Sequence, residues 1–187
     1  MKLQEVLDFL VDSLKILIIA LLIVVPIRTF LFQPFIVKGS SMEPNYRSGD
    51  YLIIDELSYK LKDPQRGEVI VFKYPLNPAN KYIKRIIGLP GEKIEISDGV
   101  IYITKDEELF KINESLYMSE DDLNKWTNSI NIEALILGEN EYFVMGDNRN
   151  YSSDSRKWGA VPRENITGRM MFRFSPIEVI MKTMSTN

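Results

Sequence analysis

The chain has 187 residues and a formal net charge of −3, and it contains neither histidine nor cysteine. Its length allows one compact domain plus a further segment, and 45% hydrophobic residues are enough for a real core. Ser-His-Asp triads, Cys-His dyads, disulfides and imidazole or thiolate zinc sites are all excluded. The charge offers no basic surface of the kind that binds nucleic acid. Any nucleophilic chemistry must therefore use a lysine or a carboxylate as its base.

The first feature in chain order is the unbroken apolar run of residues 16–27, bracketed by Lys15 and Arg28. Alone it is shorter than the roughly 20 residues that cross a bilayer core, but apolar residues extend it on both sides. The two cations can snorkel towards the membrane surfaces. We predict a single transmembrane anchor over residues 14–33, preceded by a short cytoplasmic tail of residues 1–13.

Two other interpretations of this run remain open. A cleaved signal peptide would need a basic N-terminal region and a small-residue cleavage site, and neither is visible. A buried helix of a soluble protein is the other, although Pro26 and the density of Ile and Leu favour the membrane. Charge does not settle the orientation, because Lys2 and Lys15 lie on one side and Arg28 and Lys38 on the other.

Residues 34–187 have the pattern of an extracytoplasmic β-rich domain. Short apolar runs separated by turn residues predict a mainly antiparallel β fold of sandwich or barrel type. The predicted strands cover residues 50–55, 68–73, 82–88, 93–96, 100–103, 141–146 and 167–174. A tight turn at Ser97-Asp98-Gly99 would join two of them into a hairpin. The acidic segment of about residues 105–138 is interpreted as an insert with a short helix, N-capped at Ser119.

Ser41 and Lys84 are the first candidates for chemistry. Ser41 lies in the turn of residues 38–44, where an isolated serine is usually an ordinary polar residue. Lys84 lies within the apolar strand 82–88, where a lysine is usually solvated. If Lys84 is buried, however, desolvation lowers its pKa, and a neutral amine can take a proton from a hydroxyl.

The polar run of residues 146–159 is the third candidate. A surface loop is the simple interpretation, but a connection of this length is often functional. Aspartate and arginine alternate at close spacing in Asp147, Arg149, Asp154 and Arg156. Ion pairs between such residues would hold the loop in one shape.

Four segments together resemble the type I signal peptidase (leader peptidase) family of bacteria. They are residues 35–44 around the serine, residues 66–72, residues 82–92 around the lysine, and residues 146–159. They follow the family's order and cover most of the chain outside the acidic insert. One short motif would be weak, but four in order are highly specific.

The resemblance implies that Ser41 is the nucleophile and that Lys84 is the general base. It also implies that Ser152 holds the lysine amine by a hydrogen bond. The other supporting positions are Asp147, Asp154, Arg156 and Gly39. The implied substrate-binding positions are Phe35, Val37, Met42, Tyr82 and Ile83. Some members have serine in place of Gly39, and its hydroxyl serves the oxyanion hole, so a second donor is left open here.

The resemblance further implies a fold shared with the SOS-repressor peptidases, and removal of signal peptides from exported preproteins with small residues before the cleavage site. The partners would be those preproteins and the phospholipid membrane, without nucleic acid, metal or cofactor. The location would be the cell membrane, single-pass, with the catalytic domain outside. A self-cleaving SOS-type repressor and an inactive membrane-tethered peptide-binding domain are the rival interpretations. The first needs a DNA-binding domain, which is not visible, and the intact Ser41 and Lys84 disfavour the second.

Overall fold

The computed structural model describes residues 3–30, 32–125 and 131–174. In chain order the elements are α1 (Leu3–Phe30), β1 (Phe32–Ile36), β2 (Tyr51–Asp55), α2 (Ser58–Leu61), β3 (Val69–Tyr74), β4 (Asn77–Gly88), β5 (Lys93–Ser97), β6 (Val100–Lys105), β7 (Glu108–Lys111), α3 (Glu120–Asn124), β8 (Ile132–Ile136), β9 (Glu141–Met145), α4 (Ser155–Trp158), β10 (Val161–Pro162), a 3₁₀ turn (Arg163–Asn165) and β11 (Ile166–Phe174).

Helix α1 begins at Leu3 and ends at Phe30, so both of its ends lie earlier in the chain than those of the predicted anchor, residues 14–33. It ends at Phe30, because residues 32–36 pair with β2 as strand β1 and need extended backbone. Many large apolar side chains along its described part are exposed, including those of Phe9, Ile16 and Leu22. None of the helices in the described ranges combines the length and the hydropathy that a membrane crossing requires.

The larger of two antiparallel sheets has seven strands in the order β1-β2-β11-β3-β4-β9-β10. Apolar residues alternate or run continuously along its central strands, so both of their faces are covered. On one side Val37, Leu52, Ile54 and Val71 pack together. On the other side Ile70, Phe72, Ile86 and Val144 form a second cluster. The prediction of a mainly antiparallel β fold is confirmed.

The smaller sheet has four strands in the order β7-β6-β5-β8. The predicted hairpin forms its centre as β5 and β6, paired from Lys93↔Thr104 to Ser97↔Val100. The acidic segment of residues 105–138 supplies both outer strands, so it completes this sheet and does not stand apart as an insert. Its predicted helix is α3, where the Ser119 Oγ accepts a hydrogen bond from the Asp122 N–H at 3.2 Å.

The fold brings the candidate residues together in one region of the larger sheet. The turn with Ser41 follows β1, and its backbone is closed by a Glu43 N–H to Ser40 carbonyl bond of 3.1 Å. Strand β4 carries Lys84 beside β3, where Ile70 is its partner. Strand β9 pairs with β4 on the other side and leads directly into the 146–159 loop.

Candidate active site

Ser41 and Lys84 are brought together by the fold, although they lie 43 positions apart in the sequence. The Lys84 Nζ lies 2.7 Å from the Ser41 Oγ and 2.8 Å from the carbonyl oxygen of Ile83. The first distance is within hydrogen-bond reach, which a general base needs in order to take a proton from a hydroxyl. The sequence motifs had placed these two residues in separate segments, and the structure makes them neighbours.

The Lys84 amine is shielded from water, because only 4% of the residue is exposed. Burial lowers the Lys84 pKa from 10.5 to about 8, while the carboxylates of Asp154 and Asp147 oppose this effect. Desolvation disfavours the ammonium form, so it outweighs the attraction of the two carboxylates. A substantial fraction of the amine is therefore neutral near pH 8 and can accept a proton.

The 146–159 loop holds the turn that carries Ser41. The Asn148 backbone N–H donates to the Ser41 carbonyl at 3.1 Å, and the Asn148 side-chain amide donates to the Ser40 carbonyl at 3.1 Å. At Gly146 the two segments are closer still. A Cβ there would lie 2.3 Å from the Ser152 Oγ and 2.4 Å from the Ser41 carbonyl oxygen, so only glycine fits.

Of the ion pairs predicted within this loop, the structure forms one, between Asp154 and Arg156. Asp154 accepts from the Arg156 Nε at 2.8 Å and from the Gly146 N–H at 3.0 Å. Burial alone would raise the Asp154 pKa, but these hydrogen bonds and the Arg156 charge keep the pKa below its usual value. The carboxylate also caps α4, since it accepts from the Arg156 backbone N–H at 3.3 Å.

Asp147 pairs outside the loop, with Arg85 of β4. The Arg85 guanidinium donates to both Asp147 oxygens, at 2.8 and 2.7 Å. Asn45, in the turn that follows Ser41, adds a third bond of 2.8 Å to the same carboxylate. Sequence reasoning missed Arg85 and Asn45. A signal existed for Arg85, because it is a charged residue in an apolar strand, but Asn45 looks like any polar turn residue.

Ser152 does not make the hydrogen bond that the resemblance implied. Its Oγ is buried and makes no hydrogen bond to the Lys84 amine. The Lys84 amine is instead satisfied by Ser41 and by the Ile83 carbonyl. The expected Ser152–Lys84 hydrogen bond is therefore not formed, and this expectation is corrected. The Ser152 hydroxyl nevertheless lies close to Gly146, beside the Ser41 segment.

Gly39 has a backbone conformation that explains the absence of a side chain. Its φ of 88° lies in the left-handed region, which β-carbon sterics disfavour for other residues. The Gly39 N–H is directed at the Ser48 Oγ at 3.4 Å. The Gly39 N–H is therefore engaged with the Ser48 side chain, and it is not free to serve as the second oxyanion donor that the sequence left open.

A groove of about 670 Å³ opens beside Ser41 and Lys84. Of the five expected substrate-binding residues, Phe35, Tyr82 and Ile83 line it. Val37 and Met42 are 2% and 0% exposed and pack with Ile83 in the core, so they can shape the groove only from beneath. Among the described residues, no group of three or more carboxylates is placed to hold a metal ion.

A serine hydroxyl against a buried lysine amine, in a chain without histidine, defines the serine–lysine class of hydrolases. The family described as signal peptidase, peptidase S26, matches residues 10–175. The chain therefore belongs to this family, and the resemblance seen in the sequence motifs is confirmed.

Individual relatives agree with this family. A protein named probable signal peptidase I-2 from Synechocystis sp. is 36% identical over 168 residues, which cover 87% of this chain and 72% of the relative. Signal peptidase IB from Staphylococcus aureus is 29% identical over 181 residues, covering 92% and 91%. A crystal structure of a signal peptidase I from Enterococcus faecalis V583 is 32% identical, covers 59% of this chain and 98% of its own, and gives a TM-score of 0.46.

Proposed function

We propose that this chain is a membrane-bound serine endopeptidase that removes N-terminal signal peptides from exported preproteins. The observation that carries the proposal is the 2.7 Å distance between the Ser41 Oγ and the buried Lys84 Nζ. Ser41 is the nucleophile and Lys84 is the general base. The groove lined by Phe35, Tyr82 and Ile83 receives the small residues that precede the cleavage site.

The reaction follows from this geometry in two halves. Neutral Lys84 takes the Ser41 proton as the Oγ bonds to the carbonyl carbon, and the Ser41 backbone N–H stabilises the oxyanion. The C–N bond then breaks, and Lys84 gives its proton to the departing amine. In the second half Lys84 deprotonates a water molecule, which attacks the acyl carbon. The bond to the Ser41 Oγ breaks, the Oγ takes the proton back from Lys84, and the signal peptide is released.

Two surfaces support a membrane location. Apolar side chains are exposed at many positions of α1, as described above. The sheet adds an apolar face directly after that helix, where Ile36, Tyr51 and Phe174 oppose one another across three strands and are 46%, 49% and 58% exposed. A contiguous exposed apolar face of this kind marks a protein or membrane contact.

The direct test is cleavage of a purified preprotein by the full chain in lipid vesicles. The exposed neighbour Ser40 is the matched control for the nucleophile. We expect Ser41→Ala and Lys84→Ala to lose at least about 100-fold in rate while remaining folded, because each removes an essential reacting group. Ser40→Ala should keep most of the activity. Full activity of Ser41→Ala would overturn the proposal.

A further inference from the structure

A short turn within the acidic segment contacts residues that surround the active site. Residues 114–118, here named the bracing turn, lie between β7 and α3. The Glu114 carbonyl closes the turn by accepting from the Tyr117 N–H at 3.1 Å and from the Met118 N–H at 2.9 Å. Neither the family motifs nor the reaction proposed above gives these residues any part.

The first contact of the bracing turn runs through Glu114 to the 146–159 loop. The Glu114 carboxylate accepts from both terminal nitrogens of Arg149, and both side chains are nearly inaccessible to solvent. The Arg149 Nε in turn donates to the Gly146 carbonyl at 3.0 Å. Gly146 is the residue whose backbone touches the Ser41 segment. A two-pronged buried pair of this kind fixes orientation as well as distance.

The second contact runs through Tyr117 to the Arg85–Asp147 pair. The Arg85 guanidinium carbon lies 4.1 Å from the centroid of the Tyr117 ring, which is stacking distance. The Tyr117 carbonyl accepts from the Asn45 Nδ2 at 2.7 Å, and the same nitrogen donates to Asp147. Tyr117 therefore holds Arg85 and Asn45, the two groups that hold Asp147.

The two contacts are joined inside the bracing turn. The Tyr117 hydroxyl donates to the Glu114 Oε1 at 2.8 Å, and burial, followed by the Glu114 charge, raises the Tyr117 pKa so that the hydroxyl stays protonated. Around the Lys84 amine the facing carboxylates are Asp147 and Asp154. The bracing turn thus reaches the residues that fix both the position and the electrostatic surroundings of the base.

We propose that Glu114 and Tyr117 are positioning residues for the serine–lysine reaction. They hold Arg85, Asp147 and Gly146 in place, and so keep the Lys84 amine against Ser41 and away from water. The inference rests on the proposed function, since it concerns the same two reacting groups. This role differs from a contribution to folding stability alone, because it affects the turnover rate of molecules that are already folded.

Tyr117→Leu tests the ring, and Tyr117→Phe tests the hydroxyl alone. Without the ring, Arg85 is free to leave Asp147, and the released carboxylate and entering water both raise the Lys84 pKa. We expect Tyr117→Leu to lower kcat on the order of 10- to 100-fold at neutral pH, with KM unchanged, and to move the midpoint of the pH–rate profile upward. Tyr117→Phe, which keeps the ring, should retain most of the kcat of the unmodified protein.

Glu114→Gln tests the other contact, with Glu120→Gln, an exposed glutamate of α3, as its control. The amide keeps the size of the carboxylate but removes the charge that Arg149 pairs with. We expect a lower kcat for Glu114→Gln and an unchanged kcat for Glu120→Gln. Leu116→Ala, which alters an exposed side chain within the bracing turn, should also leave kcat unchanged.

The readouts separate positioning from folding. Thermal unfolding gives the folded fraction of each variant, and the pH midpoint does not depend on that fraction. A loss for Tyr117→Leu that equals its unfolded fraction, with an unmoved midpoint, would overturn the inference and leave the proposed function intact. An unchanged kcat for both Tyr117→Leu and Glu114→Gln would do the same. Cleavage that survives Ser41→Ala would overturn the proposed function and this inference with it.

Discussion

Lys84 and Arg85 are adjacent buried cations whose surroundings give them opposite roles. The Arg85 charge is matched by Asp147 through two hydrogen bonds. The other nearby carboxylate, Asp154, is matched by Arg156 in the same way. Because each carboxylate is bonded to an arginine, none is bonded to the Lys84 amine. Desolvation therefore dominates at Lys84 and leaves an amine that can be neutral, while Arg85 remains a charged structural group.

Replacement of Lys84 by arginine should abolish turnover although it keeps the positive charge. A guanidinium does not lose its proton in the pH range of proteins, so it cannot act as a base. We expect Lys84→Arg to lose at least about 100-fold in cleavage rate. Lys73→Arg, at an exposed position on the neighbouring strand β3, is the control and should match the unmodified protein. Measurable turnover by Lys84→Arg above pH 9 would argue against the lysine base.

The sequence revealed these two reacting residues because local motifs carry them. Ser41 lies in a short turn and Lys84 in an apolar strand, and both can be recognised within ten residues of sequence. Asn45 and Tyr117 are different, because their contact joins positions 72 apart and neither has an unusual neighbourhood. The Ser152 bond was expected from the family pattern, yet the orientation of a hydroxyl depends on packing that the motif does not encode.

At the scale of elements, the 146–159 loop is the part that depends most on close packing. Its first residue, Gly146, leaves room for the Ser41 carbonyl and the Ser152 hydroxyl. The Ser155 Oγ accepts from the Val144 N–H at 3.0 Å, so the far end of the loop returns to strand β9. The loop is therefore held by contacts at both ends. Between them it contributes Asp147 and Asp154, the two carboxylates near the Lys84 amine.

Gly146→Ala adds only one methyl group, but we expect it to reduce activity strongly. The new methyl group must displace the Ser41 carbonyl or the Ser152 side chain, and overpacking of this kind costs about 1–3 kcal/mol of unfolding free energy. We expect a lower melting temperature and a large loss of cleavage. Gly138→Ala is the control, because its nearest neighbour is a flexible Glu141 side chain at 3.3 Å. Equal activity of both variants would contradict the close packing at residue 146.

Most strands could be predicted because they carry alternating or continuous apolar residues between turn signals. Strand β1 could not, since Phe32–Ile36 continues an apolar run and becomes a strand only by pairing with Tyr51–Asp55. Strand β7 is short and exposed along its whole length, and β8, although mostly apolar, lies at the end of an acidic segment. The acidic segment therefore looked like an insert, although it forms the two edges of the smaller sheet.

At the scale of the whole molecule, the substrate groove and the apolar sheet face share strand β1. Phe35 and Ile36 both line the groove, and Ile36 also opposes Tyr51 on the exposed apolar face. Ile36 thus belongs to both surfaces, which are continuous at the end of strand β1. A preprotein held in the membrane by its own apolar segment would reach Ser41 at a high effective concentration.

Charges on the apolar face should separate membrane substrates from short peptides. Phe172 is 55% exposed and lies two positions before Phe174 on β11, so it extends the same face. We expect the double change Phe172→Asp and Phe174→Asp to slow cleavage of a vesicle-bound preprotein, because charged groups oppose contact with the bilayer. Cleavage of a short soluble peptide in detergent should be unchanged. Leu109→Asp, at an exposed position of the smaller sheet, is the control. An equal rate on vesicles for the double variant would contradict membrane contact through this face.

Lys84 must be neutral when it activates Ser41, and titration of its amine tests this most directly. NMR of the full chain with labelled lysine side chains follows the amine, with Lys84→Arg used to assign its signal. We expect the Lys84 amine to titrate near pH 8, two to three units below an ordinary lysine, and the cleavage rate to rise with pH through the same midpoint. A Lys84 pKa near 10.5, or a rate that does not follow this titration, would contradict the account.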